Sequence, residues 1–315
     1  MFDNLINNAL PVVVAKQNGV TLTEEEEAQV QADFKEQIDQ MIAQYASQVD
    51  ESITDEDAKY AEEEKLFKAA LKSGGWNYNT YLKMIEDDVR GAAIGNKYME
   101  SLYSGVNVTE EDAKAYYDEQ LAAKKAEYAE TPAQFYTDYS NAISGSDTVG
   151  VLTVPEGYRF CKHILIKKAE EGDTTKNVNQ IVEEVKAKLA DGVDFDKLVE
   201  EYGEDPGMKE EPYKTEGYLI SENTLDKYYD GFGIAAISLK NIGDVSNPVE
   251  TEAGYHFIQY TSDAEVKDTP FEDVKQAIID KLTEDEKVAI YNDCLEKWKE
   301  EIKIEKYYDR VSGIK

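Results

Sequence analysis

The chain has 315 residues, of which 41% are hydrophobic, and 66 acidic against 34 basic side chains give a net charge of -32. This composition excludes a wholly disordered chain, and the charge argues against a nucleic-acid partner, which needs a basic surface. The chain is long enough for two domains. No apolar run approaches the roughly 18 residues of a membrane span. The start at Met1 lacks the features of a signal peptide, so we expect either a cytoplasmic protein or a chain whose leader has been removed.

The first half of the sequence has the periodicity of helices. Apolar residues recur at helical spacing from Val30 to Tyr45, and Thr23 with Glu26 has the spacing of a capping box at the start of that helix. A second helix is expected after Gly74-Gly75, and a third after Thr109. The pattern predicts a helical domain whose N-terminal part covers residues 1–156, with a linker over 140–157.

A different pattern begins at Tyr158 and predicts a compact α+β unit over residues 157–263. Strands are expected at Tyr158–Lys167 and Gly254–Thr261, with helical segments between them, the last over Leu225–Leu239. After this unit the sequence returns to helices, one starting at Pro270 and a second one at the capping-box spacing of Thr283 and Glu286. These amphipathic helices, residues 264–315, are expected to pack back on the N-terminal domain, which makes the α+β unit an insertion.

The chain has two histidines, and both lie on the predicted strands of this unit. His163 and His256 could hydrogen-bond across neighbouring strands, with Asp205 between them in sequence. A structural role for each histidine is the alternative. A metal site using Cys161 is disfavoured because no pair of residues has a common zinc spacing. Nucleophilic catalysis by Cys161 with His163 is disfavoured because no third orienting group can be assigned and a cysteine in such a strand is usually buried. We therefore expect no metal and no cofactor.

Three sequence blocks resemble parvulin-type peptidyl-prolyl isomerases over residues 157–263. They are the opening strand Phe160–Lys167, the helix entry Gly192–Leu198, and the closing block Gly243–Ile258. The flanking helices are similar to the chaperone domain of extracytoplasmic parvulin foldases, in which the isomerase is likewise inserted. The resemblance thus implies an α+β fold, mostly helical, with a parvulin domain inserted between N- and C-terminal helical segments.

The resemblance also implies the site. It assigns a polar catalytic set and an apolar proline pocket: His163, Asp205, Thr251 and His256 for the first, and Leu219, Leu225, Phe232 and Ile237 for the second. The pocket segment departs from the family pattern, because Glu216–Ile220 replaces its usual glycine-rich run. The loop Lys167–Lys176 carries three lysines against three acidic residues and no arginine, so phosphopeptide selectivity is not expected.

The resulting expectation is a prolyl isomerase and chaperone that acts on unfolded or partly folded polypeptides with X-Pro bonds. The alternative is a holdase whose parvulin-like domain binds extended chains without isomerase activity. The resemblance and the acidic charge imply an extracytoplasmic location, at the cell surface or secreted, and the resemblance leaves a homodimer open.

Overall fold

The computed structural model describes residues 2–169 and 177–305. Within those ranges it contains ten α-helices and one four-stranded sheet, so the predicted α+β class is confirmed. The helices are α1 Phe2–Gln17, α2 Glu24–Ala43, α3 Glu56–Ser73, α4 Tyr78–Tyr103, α5 Glu110–Glu130, α6 Gln134–Ile143, α7 Val178–Ala190, α8 Phe195–Tyr202, α9 Phe232–Ser238 and α10 Phe271–Glu301. No helix in the described ranges is long and apolar enough to cross a membrane.

The described chain divides into two compact units. One contains the described residues up to Asn107 and from Thr283 onwards, and the other is Val108–Leu282. The predicted boundaries at residues 157 and 263 stay a prediction. They differ from this division because α5, α6 and the start of α10 pack with the sheet-bearing unit: Tyr128 and Phe135 share an apolar cluster with Tyr158, and Ala113 shares one with Ile278.

The helical unit is held by apolar contacts between its first and last segments. Leu10 and Val14 of α1 and Met99 of α4 form a buried cluster with Leu295 and Trp298 of α10. The predicted capping box at Thr23 is present at the start of α2, where the Thr23 side chain accepts a hydrogen bond from the Glu26 backbone amide.

The second C-terminal helix predicted at Thr283 is wrong. Helix α10 runs without interruption from Phe271 to Glu301, and Thr283 lies inside it. The reason is that no glycine or proline occurs between these ends, so nothing interrupts the backbone hydrogen bonds. A capping-box spacing inside an unbroken helix-forming stretch does not start a new helix.

The sheet consists of β1 Arg159–Lys167, β2 Tyr218–Ile220, β3 Val249–Glu250 and β4 Gly254–Asp263, all antiparallel, in the order β2-β1-β4-β3. The two long central strands match the predicted ones within two residues. One face of the sheet packs on α7 and α8 through buried residues that include Ile164, Ile166 and Phe257. The alternation of strand side chains therefore directs the two histidines to the other face.

The predicted helix over Leu225–Leu239 is wrong at its centre. A 3-10 helix covers Glu222–Lys227, the chain is extended at Tyr228, and α9 begins only at Phe232. Gly231, just before α9, has a φ of +86°, a conformation that only glycine adopts without strain. The break places Tyr228 and Phe232 side by side on the sheet face that carries the histidines.

Candidate active site

The two histidines meet because of the register between β1 and β4. His163 pairs with Ile258 across the ladder and His256 pairs with Leu165, so the histidines sit diagonally on one face. Their Nδ1 atoms lie 3.0 Å apart, and their rings are stacked with centroids 5.2 Å apart. Both side chains are buried. The register of the two strands therefore brings the two imidazoles together.

Asp205 reaches His163 from the loop that follows α8. Its Oδ2 atom lies 2.7 Å from His163 Nε2, and its Oδ1 atom accepts a hydrogen bond from the Gly207 amide at 3.1 Å. The loop is attached to the end of β1 by Glu204, whose amide donates to the Leu165 carbonyl and whose carboxylate accepts from the Lys167 amide. These contacts position the Asp205 carboxylate against the imidazole.

Thr251 completes the network at the other histidine. Its Oγ1 atom lies 2.8 Å from His256 Nε2 and 3.3 Å from the Gly254 carbonyl oxygen. A continuous hydrogen-bonded chain thus runs from Asp205 through His163 and His256 to Thr251. The structure brings together all four residues of the predicted polar set.

Burial and neighbouring charge set the protonation of this chain. Burial alone would raise the pKa of Asp205, but the hydrogen bond and charge of His163, with further donors, outweigh it and lower the pKa to about 2. Burial, and repulsion from His163, lower the pKa of His256 to about 4. At neutral pH, Asp205 is therefore ionised and His256 is neutral.

Two arrangements of the hydrogen-bonding protons agree with an ionised Asp205 and a neutral His256. In the first, Thr251 donates to His256, and His256 donates through Nδ1 to His163, whose Nε2–H donates to Asp205. In the second, His163 carries protons on both nitrogens and donates to both neighbours, while Thr251 accepts from His256 and donates to the Gly254 carbonyl. The two arrangements use the same heavy-atom positions and differ in which atoms donate.

An open cavity of about 620 Å³ lies beside this network. The buried ring of Phe232 stands edge-on to both histidines, with centroids 5.2 Å from each, and Tyr228 stacks on Phe232 at 5.6 Å. The cavity is thus apolar and aromatic on one side and polar on the other. Its lining residues are Tyr136, His163, Leu165, Lys167, Asp205, Pro206, Tyr218, Asp226, Lys227, Tyr228, Tyr229, Phe232, Ala253 and His256.

Three of the predicted pocket residues do not line this cavity. Leu219 is buried with Tyr158 and Phe135, Ile237 packs against the cluster that contains Cys161, and Leu225 packs against Gly233. Of the predicted pocket set, only Phe232 reaches the cavity. A substrate-binding role for the other three stays a prediction, with no cavity contact to support it.

Tyr218 occupies the place expected of Leu219. Gly217 has a φ of +96° and lies so close to the Cys161 carbonyl that a Cβ atom would be 2.6 Å from the oxygen. This turn directs Tyr218 to the cavity and its neighbour Leu219 to the opposite side. The Tyr218 hydroxyl donates to Asp205 Oδ2 at 2.9 Å, and Gly207 leaves room for it.

Cys161 does not act as a nucleophile in this arrangement. It is fully buried, and burial raises the pKa of its thiol to about 12, so no thiolate forms near neutral pH. Among the residues that the structure describes, no three His, Cys, Asp or Glu side chains are grouped to hold a metal ion. The prediction on phosphopeptide selectivity rests on a loop whose residues 170–176 lie outside the described residues.

The segment that carries both histidines is similar to a known protein family. Residues 163–262 match the family model described as a rotamase, PPIC-type PPIASE domain. The chain is 28% identical to the foldase protein PrsA of Clostridium botulinum over 261 residues, which cover 82% of this chain and 64% of that protein. The foldase protein PrsA of Clostridium tetani is 27% identical over 273 residues, covering 86% of this chain and 75% of that one.

Among solved structures, the peptidylprolyl isomerase PrsA from Bacillus anthracis matches with 19% identity and a TM-score of 0.26, covering 97% of this chain and 99% of that one. The chain spans 64% of the length of the first curated relatives that it matches, which is a little under two thirds.

Proposed function

We propose that the chain is a prolyl isomerase and chaperone that assists the folding of secreted or cell-surface proteins, and that residues 163–262, which match the PPIC-type model, form its isomerase domain. The observation that carries the proposal is the position of Phe232, which stands edge-on to both imidazoles of the polar chain and faces the open cavity. One ligand can therefore contact an aromatic surface and a polar network at the same time.

This geometry suits the isomerisation of an X-Pro bond. The barrier of roughly 18–20 kcal/mol exists because the amide nitrogen lone pair is delocalised into the carbonyl, and rotation removes that delocalisation without any nucleophile. Phe232 would hold the proline ring by apolar contact. The hydrogen-bonded groups beside them would favour the twisted amide over the planar one. About 4 kcal/mol of such preference gives a roughly thousandfold acceleration.

The ionised carboxylate has a supporting role in this scheme. Asp205 contacts the Nε2 atom of His163, on the opposite side of that ring from His256, and so orients the imidazole. Tyr218 and the Gly207 amide also donate to this carboxylate, which leaves few of its lone pairs for other contacts. His163 is then the group through which the charge of Asp205 affects an amide in the cavity.

The proposed clients are unfolded or partly folded polypeptides, and the proposed location is extracytoplasmic. Similarity to relatives named foldase supports the first part. The resemblance to extracytoplasmic parvulin foldases supports the second, and the net charge of -32 is compatible with it. Fractionation of cells that produce the native protein would test the location, and recovery only in the cytosolic fraction would contradict it.

Isomerase activity can be tested by NMR exchange in a peptide such as Ala-Ala-Pro-Phe, comparing the parent with Asp205→Asn. We expect the parent to accelerate cis–trans exchange and the variant to lose about a hundredfold in kcat/KM, because the neutral amide forms a weaker hydrogen bond with His163 than the carboxylate does. Asp191→Asn is the matched control, since Asp191 is exposed at the end of α7 and lies outside the cavity lining. A folded parent that leaves exchange unchanged would refute the isomerase.

A further inference from the structure

One wall of the cavity comes from outside the isomerase domain. Tyr136 lies on α6, which ends 20 residues before the matched segment begins at residue 163. Its side chain nevertheless lines the same cavity as Phe232 and His163, and its ring meets Tyr228 in an edge-to-face contact with centroids 6.2 Å apart. Tyr228 in turn stacks on Phe232. The aromatic surface beside the polar network therefore continues from α9 to α6.

Helix α6 is held in this place by contacts on both sides of Tyr136. Phe135 is buried, with its ring 4.7 Å from that of Tyr158, just before β1. The Tyr139 ring contacts Phe160 of β1, and its hydroxyl donates a hydrogen bond to the Glu216 carboxylate at 3.0 Å. The Tyr158 hydroxyl donates to the Pro132 carbonyl at 2.6 Å. The neighbours of Tyr136 on α6, Phe135 and Tyr139, are thus anchored to residues at the start of β1, and the Tyr136 ring is held in place as part of the cavity wall.

The cavity has more room than one proline ring needs. Its volume of about 620 Å³ lies within the range of sites that bind several connected groups. Phe232 contacts both histidines and Tyr228 stacks on Phe232, while Tyr136 contacts Tyr228 and is thus two ring contacts from Phe232. A polypeptide bound with its proline at Phe232 would therefore bring a neighbouring side chain against Tyr136.

The lining favours an uncharged aromatic neighbour. The ionisable lining residues apart from histidine and tyrosine are two lysines and two aspartates, Lys167, Lys227, Asp205 and Asp226, so their formal charges cancel. The Lys227 ammonium nitrogen also lies 3.3 Å from a carboxylate oxygen of Asp226, so these two charges form an ion pair. Tyrosine rings, by contrast, offer both faces and edges for contact with a second ring, at centroid distances of about 4.5–7 Å.

We propose that Tyr136 and Tyr228 form a subsite for an aromatic side chain adjacent to the substrate proline, so that a helix preceding the isomerase domain determines part of its specificity. The proposal rests on the proposed function for the identity of the substrate. It adds a specificity-determining residue, Tyr136, that a fragment limited to the matched residues 163–262 would lack.

The test compares matched peptides on the full chain. One pair, Ala-Phe-Pro-Ala and Ala-Leu-Pro-Ala, varies the residue before proline, and another, Ala-Ala-Pro-Phe and Ala-Ala-Pro-Leu, varies the residue after it. We expect the parent to favour the phenylalanine peptide of at least one pair in kcat/KM, and Tyr136→Leu to reduce that ratio about fivefold. Tyr136→Phe keeps the ring and should keep the ratio.

Thr137→Leu is the control, because Thr137 lies beside Tyr136 on the same helix, is exposed and does not line the cavity. Peptide titrations followed by chemical shifts separate this proposal from the proposed function. A parent that binds with a preference dependent on Tyr136 but does not accelerate exchange would refute the isomerase and retain the subsite. A ratio near one in both pairs, or an equal loss of the ratio in Tyr136→Leu and Thr137→Leu, would overturn the subsite.

Discussion

The two sides of the cavity are built in different ways. The polar side is carried mainly by β1 and β4, which pair along their length, so the ladder register determines where His163 and His256 meet. The aromatic side is assembled from short pieces: the three-residue strand β2, a 3-10 helix, the seven-residue helix α9 and the more distant helix α6. The first side is set by regular backbone pairing, and the second by individual turns and ring contacts.

This difference indicates which side of the cavity can tolerate changes of sequence. A one-residue shift in a paired strand turns every side chain to the opposite face, so substitutions that alter β1 or β4 would disrupt the sheet as well as the site. Segments between Pro206 and Phe232 contain little strand pairing, and their course depends on turns at particular residues, such as those with positive φ angles at Gly217 and Gly231. Chemistry is thus expected to depend on the strands, and substrate preference on the segments around them.

The largest expected effect concerns the pH dependence of stability on the polar side. The pKa of His256 is about 4 in the folded chain, against a usual 6.5. Between these values the unfolded chain binds a proton that the folded chain does not, so the free energy of unfolding should fall by roughly 3 kcal/mol as pH drops from 6.5 to 4. Urea denaturation at several pH values measures this slope.

His256→Gln isolates the contribution, because it removes the titrating group while all acidic side chains remain. The variant should show a smaller loss of stability over the same pH window. Asp205, whose pKa is lowered to about 2, stabilises the fold above its usual 3.8 and loses that effect only as pH falls from 3.8 to about 2, outside the window. Identical slopes for parent and variant would show that the sheet does not hold His256 neutral.

The aromatic side can be tested with two phenylalanines on opposite faces of the sheet. Phe232 and Phe257 are both buried, but only Phe232 lines the cavity. Each Phe→Leu change should cost about 1–2 kcal/mol of stability through lost packing. Only Phe232→Leu should also lower kcat/KM, about tenfold, because the surface under the proline ring is lost. Urea denaturation and peptide exchange assays measure the two effects, and an equal kinetic loss in Phe257→Leu would contradict the assignment.

The same division explains what the sequence could predict. The strands β1 and β4 are long enough for their apolar pattern to be recognised, and His163 and His256 stand out as the two histidines of the chain. Asp205 and Thr251 were accessible through the resemblance to a known family. The structure places all four in one hydrogen-bonded chain.

The aromatic side was less accessible, for physical reasons. Strand β2 has three residues, too few for alternation to show which side chain faces the cavity, so Leu219 was predicted where Tyr218 lies. The signal that could have corrected this is Gly217, whose positive φ sets the phase of the strand. Tyr136 reaches the cavity from a helix outside the matched domain, and no local pattern reports such a distant contact.

Tyr218 joins the two sides, and its hydroxyl gives the smallest expected effect. It donates to the same Asp205 oxygen that faces His163, while its ring stacks on Tyr213 at 4.7 Å. Tyr218→Phe removes the hydrogen bond and keeps the ring, so kcat/KM should fall only about threefold. The pKa of Asp205 should rise, because one donor that stabilises its ionised form is lost.

When kcat/KM is measured as a function of pH, its fall on the acidic side, the acidic limb, should therefore begin at a higher pH in Tyr218→Phe than in the parent. Tyr213→Phe is the matched control, since it removes a hydroxyl from the stacked neighbour, which does not line the cavity. If both variants lose activity equally with no shift of the acidic limb, the Tyr218 hydroxyl does not act through Asp205. A shift confined to Tyr218→Phe would show that the loop segment contributes to the electrostatics of the strand side as well as to the shape of the cavity.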